Sequence, residues 1–251
     1  MKPIILIPAR MGASRLPGKP LALIHGAPLI VHVWRAACAA GVGPVAVAAA
    51  DSEIVDAVRA EGGEAILTDP RLPSGSDRIL AALKELDPQG AHDAVINLQG
   101  DMPFVSAEVL VSCARLLESV ETCDIATVVA PEASPTDRTN PDVVKAVLAL
   151  GLGARAGRAL YFTRSTLFGE GPVWRHVGLY GYRRAALERF NAAMPSPLEQ
   201  RERLEQLRAL ELGLSIWAAL VSTAPISVDT PGDLAAARAY AAGAALKDDA
   251  K

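Results

Sequence analysis

Met1-Lys-Pro-Ile-Ile-Leu-Ile-Pro-Ala-Arg-Met-Gly-Ala-Ser-Arg-Leu-Pro-Gly-Lys19 opens the chain. The apolar run Ile4 to Ile7 reads as a buried strand, because a strand covered on both faces has no need to alternate. It runs directly into a loop that sets Arg10, Arg15 and Lys19 among small residues and prolines. At the carboxyl end of a central strand of an α/β sheet, three cations on a compact backbone suit a polyanion, and a nucleoside triphosphate is the natural guest. A basic loop in an arbitrary place is usually just solvated. Here the cations, glycines and prolines all fall directly after one strand, which favours binding.

The spacing removes two familiar phosphate motifs. Between Gly12 and Gly18-Lys19 stand five residues where a P-loop has four, and Pro20 occupies the place of the magnesium-binding Ser or Thr. No Gly-x-Gly-x-x-Gly follows this strand or a later one, so a dinucleotide-dependent oxidoreductase lacks its main support.

Outward from the loop, Leu29, Val33, Ala36, Ala37 and Ala40 recur at helical spacing up to Gly41, and Val45 to Ala49 is the next apolar strand, completing a βαβ unit. Asp51 or Ser52 can cap a helix bearing Ile54, Val55 and Val58. Ala65 to Leu67 is a short strand, Ile79, Leu80, Leu83 and Leu86 mark another helix, and Ala94 to Leu98 a further buried strand. This alternation predicts an α/β fold with a mostly parallel, doubly wound sheet. From Asp124 the rhythm changes to strand-like runs at Ile125 to Val129, Val143 to Leu148, Ala159 to Phe162 and Val177 to Tyr182, which implies antiparallel pairing. A helix is expected over 197–212, strands at Ile216 to Val221 and Ile226 to Val228, and a last helix starting at Thr230-Pro231-Gly-Asp233. Residues 1–243 read as one domain, a nucleotide-binding half fused to an acceptor-binding half, with a disordered tail over 244–251.

Composition narrows the function. The 251 residues are 51% hydrophobic and only 4% aromatic, ample aliphatic material for a large α/β core. A formal net charge of −3 with dispersed basic residues argues against nucleic acid as a partner. No run approaches the roughly eighteen uninterrupted apolar residues of a membrane span. Met1-Lys2 leads into a strand instead of a signal peptide, so a cytoplasmic location is expected. Cys38, Cys113 and Cys123 lack paired spacing and read as buried free thiols, and neither they nor His25, His32, His92 and His176 show transition-metal spacing.

Asp101, in Gln99-Gly100-Asp101-Met102-Pro103, follows the strand at Ala94 to Leu98, and Asp229 follows Ile226 to Val228. Each alone would pass for a helix cap or turn acid. Two carboxylates at the sheet edge that carries the basic loop suit magnesium, which takes oxygen ligands and shares its shell with substrate phosphates.

Eight segments in order resemble the 3-deoxy-manno-octulosonate cytidylyltransferase (CMP-Kdo synthetase) family: Ile7-Pro-Ala-Arg-Met-Gly-Ala-Ser-Arg-Leu-Pro-Gly-Lys-Pro-Leu21, Ser74-Gly-Ser-Asp-Arg78, Asn97-Leu-Gln-Gly-Asp101, Tyr161-Phe-Thr-Arg164, His176-Val-Gly-Leu-Tyr-Gly-Tyr182, Ser196-Pro-Leu-Glu199, Leu204-Glu-Gln-Leu-Arg-Ala-Leu210 and Val228-Asp-Thr-Pro-Gly-Asp-Leu234. The resemblance implies a glycosyltransferase-A-like nucleotidyltransferase with an antiparallel acceptor-binding and dimerisation part, usually a homodimer. It also implies that CTP and Kdo are converted to CMP-Kdo and pyrophosphate with Mg2+, for lipopolysaccharide biosynthesis. On this match Arg10, Arg15 and Lys19 handle the triphosphate, and Pro8, Ala9, Ser74, Arg78 and Gln99 complete the nucleotide pocket. Arg78, Gln99, His176, Tyr180, Glu205 and Gln206 fall on acceptor contacts. Asp101 and Asp229 bind magnesium, and with Lys19 and Arg10 carry catalysis.

Without the resemblance, His176, Tyr180 and Tyr182 would pass for core-filling strand residues, and Glu205 and Gln206 for the wet face of a helix. Two positions depart from the family pattern. Met102 stands where many members have an acid or amide, so no metal or proton-transfer role falls to it. Ala49 replaces the threonine of a common Ala-Thr-Asp, removing a hydroxyl near the nucleotide pocket. CMP-sialate synthetases carry a Gly-Gly-Ser-Lys segment that is absent here, whereas the motifs do not separate Kdo from its 8-amino analogue. A non-catalytic nucleotide-binding regulator is the rival from another class, and intact Lys19, Asp101 and Asp229 speak against it.

Overall fold

The computed structural model describes residues 1–12, 15–167 and 169–248, with side chains through residue 243. Ala13 and Ser14 of the basic loop, and residues 249–251 of the expected tail, lie outside this set. The chain forms two compact units, one of residues 5–89, 98–107 and 225–251 and the other of residues 1–4, 90–97 and 108–224.

In the first unit β1 (Pro3–Ala9) leads through the basic loop and a small ribbon, β2 (Leu23–Ile24) and β3 (Ala27–Pro28), into α1 (Leu29–Ala39). Then come β4 (Val45–Ala49), α2 (Ser52–Ala60), β5 (Glu64–Leu67) and α3 (Gly75–Leu86). The strand order is β5-β4-β1, and the pairing is parallel throughout, with Ile7 opposite Val47 and Val47 opposite Ala65. Ile5, Leu6 and Ile7 are fully buried, which accounts for their uninterrupted apolar run. They face a core that includes Val47, Ile54, Val58, Ile79 and Leu83, each 0% exposed.

The second unit holds β6 (Ala94–Asn97), most of α4 (Ala107–Ser119), β7 (Ile125–Pro131), β8 (Lys145–Ala149), β9 (Ala156–Thr163), β10 (Trp174–Arg183), α5 (Arg184–Ala192), α6 (Pro197–Glu202), α7 (Gln206–Glu211) and β11 (Ile216–Leu220). Its strand order is β6-β10-β7-β11-β9-β8. Among the described residues of this unit, only β7 and β11 pair in parallel. β10 runs antiparallel to β6, β7 and β8, and β9 runs antiparallel to β8 and β11. The parallel pairing expected for the early strands thus describes the first unit, and the antiparallel pairing expected from Asp124 onward is found in the second.

α8 (Pro231–Asp248) closes the chain and continues past Gly243, where the sequence reading ends the domain. It starts as expected: the Thr230 hydroxyl accepts the Asp233 N–H at 3.2 Å, and the Asp233 carboxylate accepts the Thr230 N–H at 2.8 Å, a reciprocal cap.

Two expected elements and one thiol differ from expectation. The helix expected over 197–212 is two helices, because Arg203 adopts the left-handed conformation at φ 55° and ends α6 before α7 begins. Ile226 to Val228 is not a strand. It has no ladder partner, and the Val228 N–H instead donates to the Asp101 carbonyl at 2.9 Å. Cys38 is exposed near the end of α1, while Cys113 and Cys123 are buried; all three are free thiols. Among the described residues no helix is long and apolar enough to cross a membrane.

Candidate active site

The first unit carries a cavity of about 410 Å³ whose lining includes Pro8, Ala9, Arg10, Arg15, Lys19, Ser74, Arg78, Gln99, Asp101 and Asp229. Every nucleotide, metal and catalytic assignment made from the sequence therefore meets in one place. Local backbone chemistry explains how. β1 delivers Pro8 to Arg10 to the rim, and the loop folds back so that the Gly18 N–H reaches the Met11 carbonyl at 3.1 Å. Gly18 sits at φ 70°, a left-handed conformation that glycine adopts without strain, and it starts the 3-10 turn that projects Lys19. On the facing side, a Cβ at Gly100 would lie 2.8 Å from the Pro8 carbonyl oxygen, so only glycine lets the strand ends approach this closely.

Lys19 is the electrostatic centre. Its Nζ lies 3.0 Å from Asp229 Oδ1 and 3.4 Å from Asp101 Oδ2, while the Arg15 guanidinium reaches Asp229 Oδ2 at 3.3 Å. Burial raises the Asp101 carboxyl above its usual range; Lys19 opposes that shift and the nearby Asp229 charge adds to it. Asp101 Oδ1 is buried and has no hydrogen-bond partner. An orphaned carboxylate oxygen beside a second carboxylate is the donor set a hard divalent cation takes. Among the described residues no group of three or more His, Cys, Asp or Glu could hold a metal, so such an ion would complete its shell with water and phosphate oxygens.

Arg78 is 2% exposed, its guanidinium held by Thr68 Oγ1 at 2.5 Å and the Asp69 carbonyl at 3.2 Å. Burial, and then the charge of Arg10, pushes it below the usual guanidinium range. Ser74 caps α3 by accepting the Asp77 N–H at 3.1 Å, which fixes the start of the helix carrying Arg78.

Two further residues support this site. Asp51, with Ser52 one of two candidates to cap α2, stands at the cap position without a side-chain cap bond; its carboxylate accepts the Met11 N–H at 2.8 Å and so holds the basic loop. Asp233 Oδ2 accepts the N–H groups of Asp229 and Thr230 and thereby orients the Asp229 backbone. The signal for Asp51 was its place right after β4, at the level of the loop after β1.

The remaining acceptor assignments, His176, Tyr180, Glu205 and Gln206, lie in the second unit, where the His176 ring lies near Tyr180 and the Glu205 charge acts on Tyr180. His176 Nε2 is 3.0 Å from Thr127 Oγ1, and its ring meets Phe162 edge-on at 4.9 Å and Tyr180 at 5.4 Å between centroids. Burial depresses the His176 imidazole to about 3. It pushes the Tyr180 and Tyr182 hydroxyls up, with the Glu205 charge adding to both shifts. Gln206 is not on a wet face: it is 7% exposed, and its Nε2 is buried without a hydrogen-bond partner. Glu205 starts α7 with its carboxylate 3.7 Å from Arg208, whose guanidinium is clamped on Glu199 by two 2.7 Å bonds.

The His176 shift has a consequence for stability. Unfolded, the imidazole titrates near 6.5; folded, it stays neutral to about 3. As pH falls below about 6.5 the unfolded state gains a proton that the folded state refuses, so stability drops, by at most about 1.4 kcal/mol per pH unit. His176→Gln should lack this slope. Urea melts at pH 7.5, 6.0 and 5.0 should show the variant closing on the wild type as pH falls, and parallel curves would refute the buried neutral ring.

Comparison with known proteins gives this geometry its context. A family model described as cytidylyltransferase matches residues 4–216. The 3-deoxy-manno-octulosonate cytidylyltransferase of Parvibaculum lavamentivorans is 58% identical over 94% of this chain and 92% of its own. The chain belongs to the 3-deoxy-manno-octulosonate cytidylyltransferase family. A second member, from Paramagnetospirillum magneticum, is 53% identical over 95% of this chain and 97% of its own. A solved structure of CMP:2-keto-3-deoxy-manno-octonic acid synthetase complexed with CTP superposes with a TM-score of 0.88 at 37% identity, covering 97% of this chain and 99% of that one. The family's α/β nucleotidyltransferase-like fold is thus the fold of this chain.

Proposed function

We propose that this chain is a Kdo-activating cytidylyltransferase: it joins CMP from CTP to Kdo and releases pyrophosphate, supplying the activated sugar for lipopolysaccharide biosynthesis. The observation that carries this reading is the single cavity where Arg10, Arg15, Lys19 and Arg78 converge beside the paired carboxylates of Asp101 and Asp229, in a chain 58% identical to a 3-deoxy-manno-octulosonate cytidylyltransferase.

The anomeric hydroxyl of Kdo attacks the α-phosphorus in line with departing pyrophosphate, so the protein's task is positioning and charge neutralisation. Arg10, Arg15 and Lys19 hold the triphosphate, and Lys19 offsets charge that builds on the leaving group. Pro8 to Arg10 and Ser74 to Arg78 offer backbone and side-chain groups for the cytosine edge. Asp101 and Asp229 would hold Mg2+, and the orphaned Asp101 Oδ1 supports this. When bound, magnesium adds neutralisation of phosphate charge and eases loss of the acceptor hydroxyl proton. The acceptor roles of His176, Tyr180, Glu205 and Gln206, action as a homodimer and a cytoplasmic location rest on the family resemblance.

Pyrophosphate release decides the reading. With Kdo and magnesium, CTP should outpace UTP, ATP and GTP by about 100-fold or more, since a pocket built to hydrogen-bond one base leaves its polar groups unpaired with another. Equal release from ATP would overturn the cytosine assignment, and no release with any nucleotide would make the chain a nucleotide-binding regulator.

A further inference from the structure

Thr127 stands in the middle of β7, 0% exposed, opposite Tyr180 in the ladder with β10. Between Val177 and Tyr180 the register of β10 slips, and the carbonyls of Val177 and Leu179 lie 3.2 and 2.8 Å from the Thr127 hydroxyl. The same oxygen is 3.0 Å from His176 Nε2. A hydroxyl has one proton and two lone pairs, and a carbonyl oxygen can only accept. Two oxygens 2.8 Å apart with no proton between them repel, so the Thr127 proton is committed to the Leu179 carbonyl, with Val177 sharing it weakly. The remaining Thr127 lone pairs need a donor, and the imidazole must supply it.

We propose that Thr127 is a positioning residue that fixes His176 as the Nε2–H tautomer, so that Nδ1 is left as a lone-pair acceptor for a hydroxyl of the acceptor sugar. His176 then selects its substrate by an O–H donor and not by the sugar carboxylate, which a cationic ring would have favoured. Burial supports this by keeping the ring neutral. Nδ1 has no hydrogen-bond partner among the described residues, so none of them competes for it. The aromatic flanks of Phe162 and Tyr180 hold the ring in place without offering a carboxylate that would favour the imidazolium. The inference rests on the reading that His176 faces Kdo.

The test is the 15N spectrum of histidine-labelled protein at pH 7.5, with the His176 signals identified by their loss in His176→Gln, combined with separate KM values for Kdo and CTP. The wild type should show the Nε2–H tautomer. Thr127→Val should move the ring towards a tautomer mixture and raise KM for Kdo roughly tenfold while changing KM for CTP less than about twofold; Thr127→Ser should restore both readings. An Nδ1–H wild-type ring would overturn the proposal, as would a Thr127→Val protein whose tautomer and Kdo KM are those of the wild type. The wild-type spectrum and Thr127→Ser decide the matter even if Thr127→Val does not fold. His176→Gln tests the underlying reading separately: an unchanged Kdo KM there would remove Kdo from His176, and the tautomer would stand or fall on the spectrum.

Discussion

Asp101→Asn is expected to lower turnover by about a thousandfold or more and, in the same molecule, to raise thermal stability. The activity loss follows from removing one of the two carboxylates that, among the described residues, line the cavity proposed to hold the triphosphate. The stability gain follows from burial: it raises the Asp101 carboxyl above its usual range, so the group's contribution to stability falls as pH rises through its folded pKa, a loss that an amide, which does not ionise, escapes. The Asp101 Oδ1 has no partner to offset that loss, while Lys19 keeps Asp229 at 3.0 Å after the change. A gain of about 1 kcal/mol is the expected scale. Asp229→Asn should lose comparable activity but gain no stability, since it breaks contacts to both Lys19 and Arg15. If both residues act on one ion, as proposed, the double variant in a turnover cycle should cost much less than the product of the single losses. A fully active Asp229→Asn protein at low magnesium, or an Asp101→Asn protein that melts below the wild type at pH 7, would break this account.

Lys19→Met should be the opposite case, losing both activity and stability. Turnover should fall by about a hundredfold to a thousandfold, with KM for CTP changed far less, because the ammonium is needed most as charge develops on the leaving pyrophosphate. Removing the cation also leaves two neighbouring carboxylates facing each other, with Lys19 only 15% and Asp101 21% exposed, so a loss of about 2–3 kcal/mol is expected at pH 7. That loss should shrink on acidification, as Asp101 takes a proton. Recovery of normal turnover at high CTP would reduce Lys19 to ground-state binding.

The residues that line the cavity were more legible in the sequence than the fold around them. Ile4 to Ile7 was readable because burial on both faces leaves an uninterrupted apolar run, and the cations after it follow at once. The break between α6 and α7 was hidden: Leu198, Leu204, Leu207 and Leu210 keep one helical face across it, and Arg203, which ends α6, is neither glycine nor asparagine. Ile226 to Val228 misled for a related reason, since β-branched residues report that a segment is buried and extended but not that it has a ladder partner. The helices α4 and α5 are additions to the elements expected. Asp51 and Thr127 escaped because their tasks depend on neighbours 40 and 49 residues away, Met11 and His176, which no local pattern reveals.

The main-chain bond from the Val228 N–H to the Asp101 carbonyl has a bearing on how this enzyme can change over evolutionary time. It ties together the two loops that present the carboxylates, through atoms every residue except proline possesses. The separation of those loops is therefore inherited with the backbone and is insulated from drift at side chains around it. Point substitutions can empty the site of charge, and most leave its span unchanged; an insertion or deletion, a proline at 228 or a side chain at Gly100 reaches that quantity. Lineages that keep the chemistry should accordingly show free exchange of side chains near the two loops and a fixed length within them.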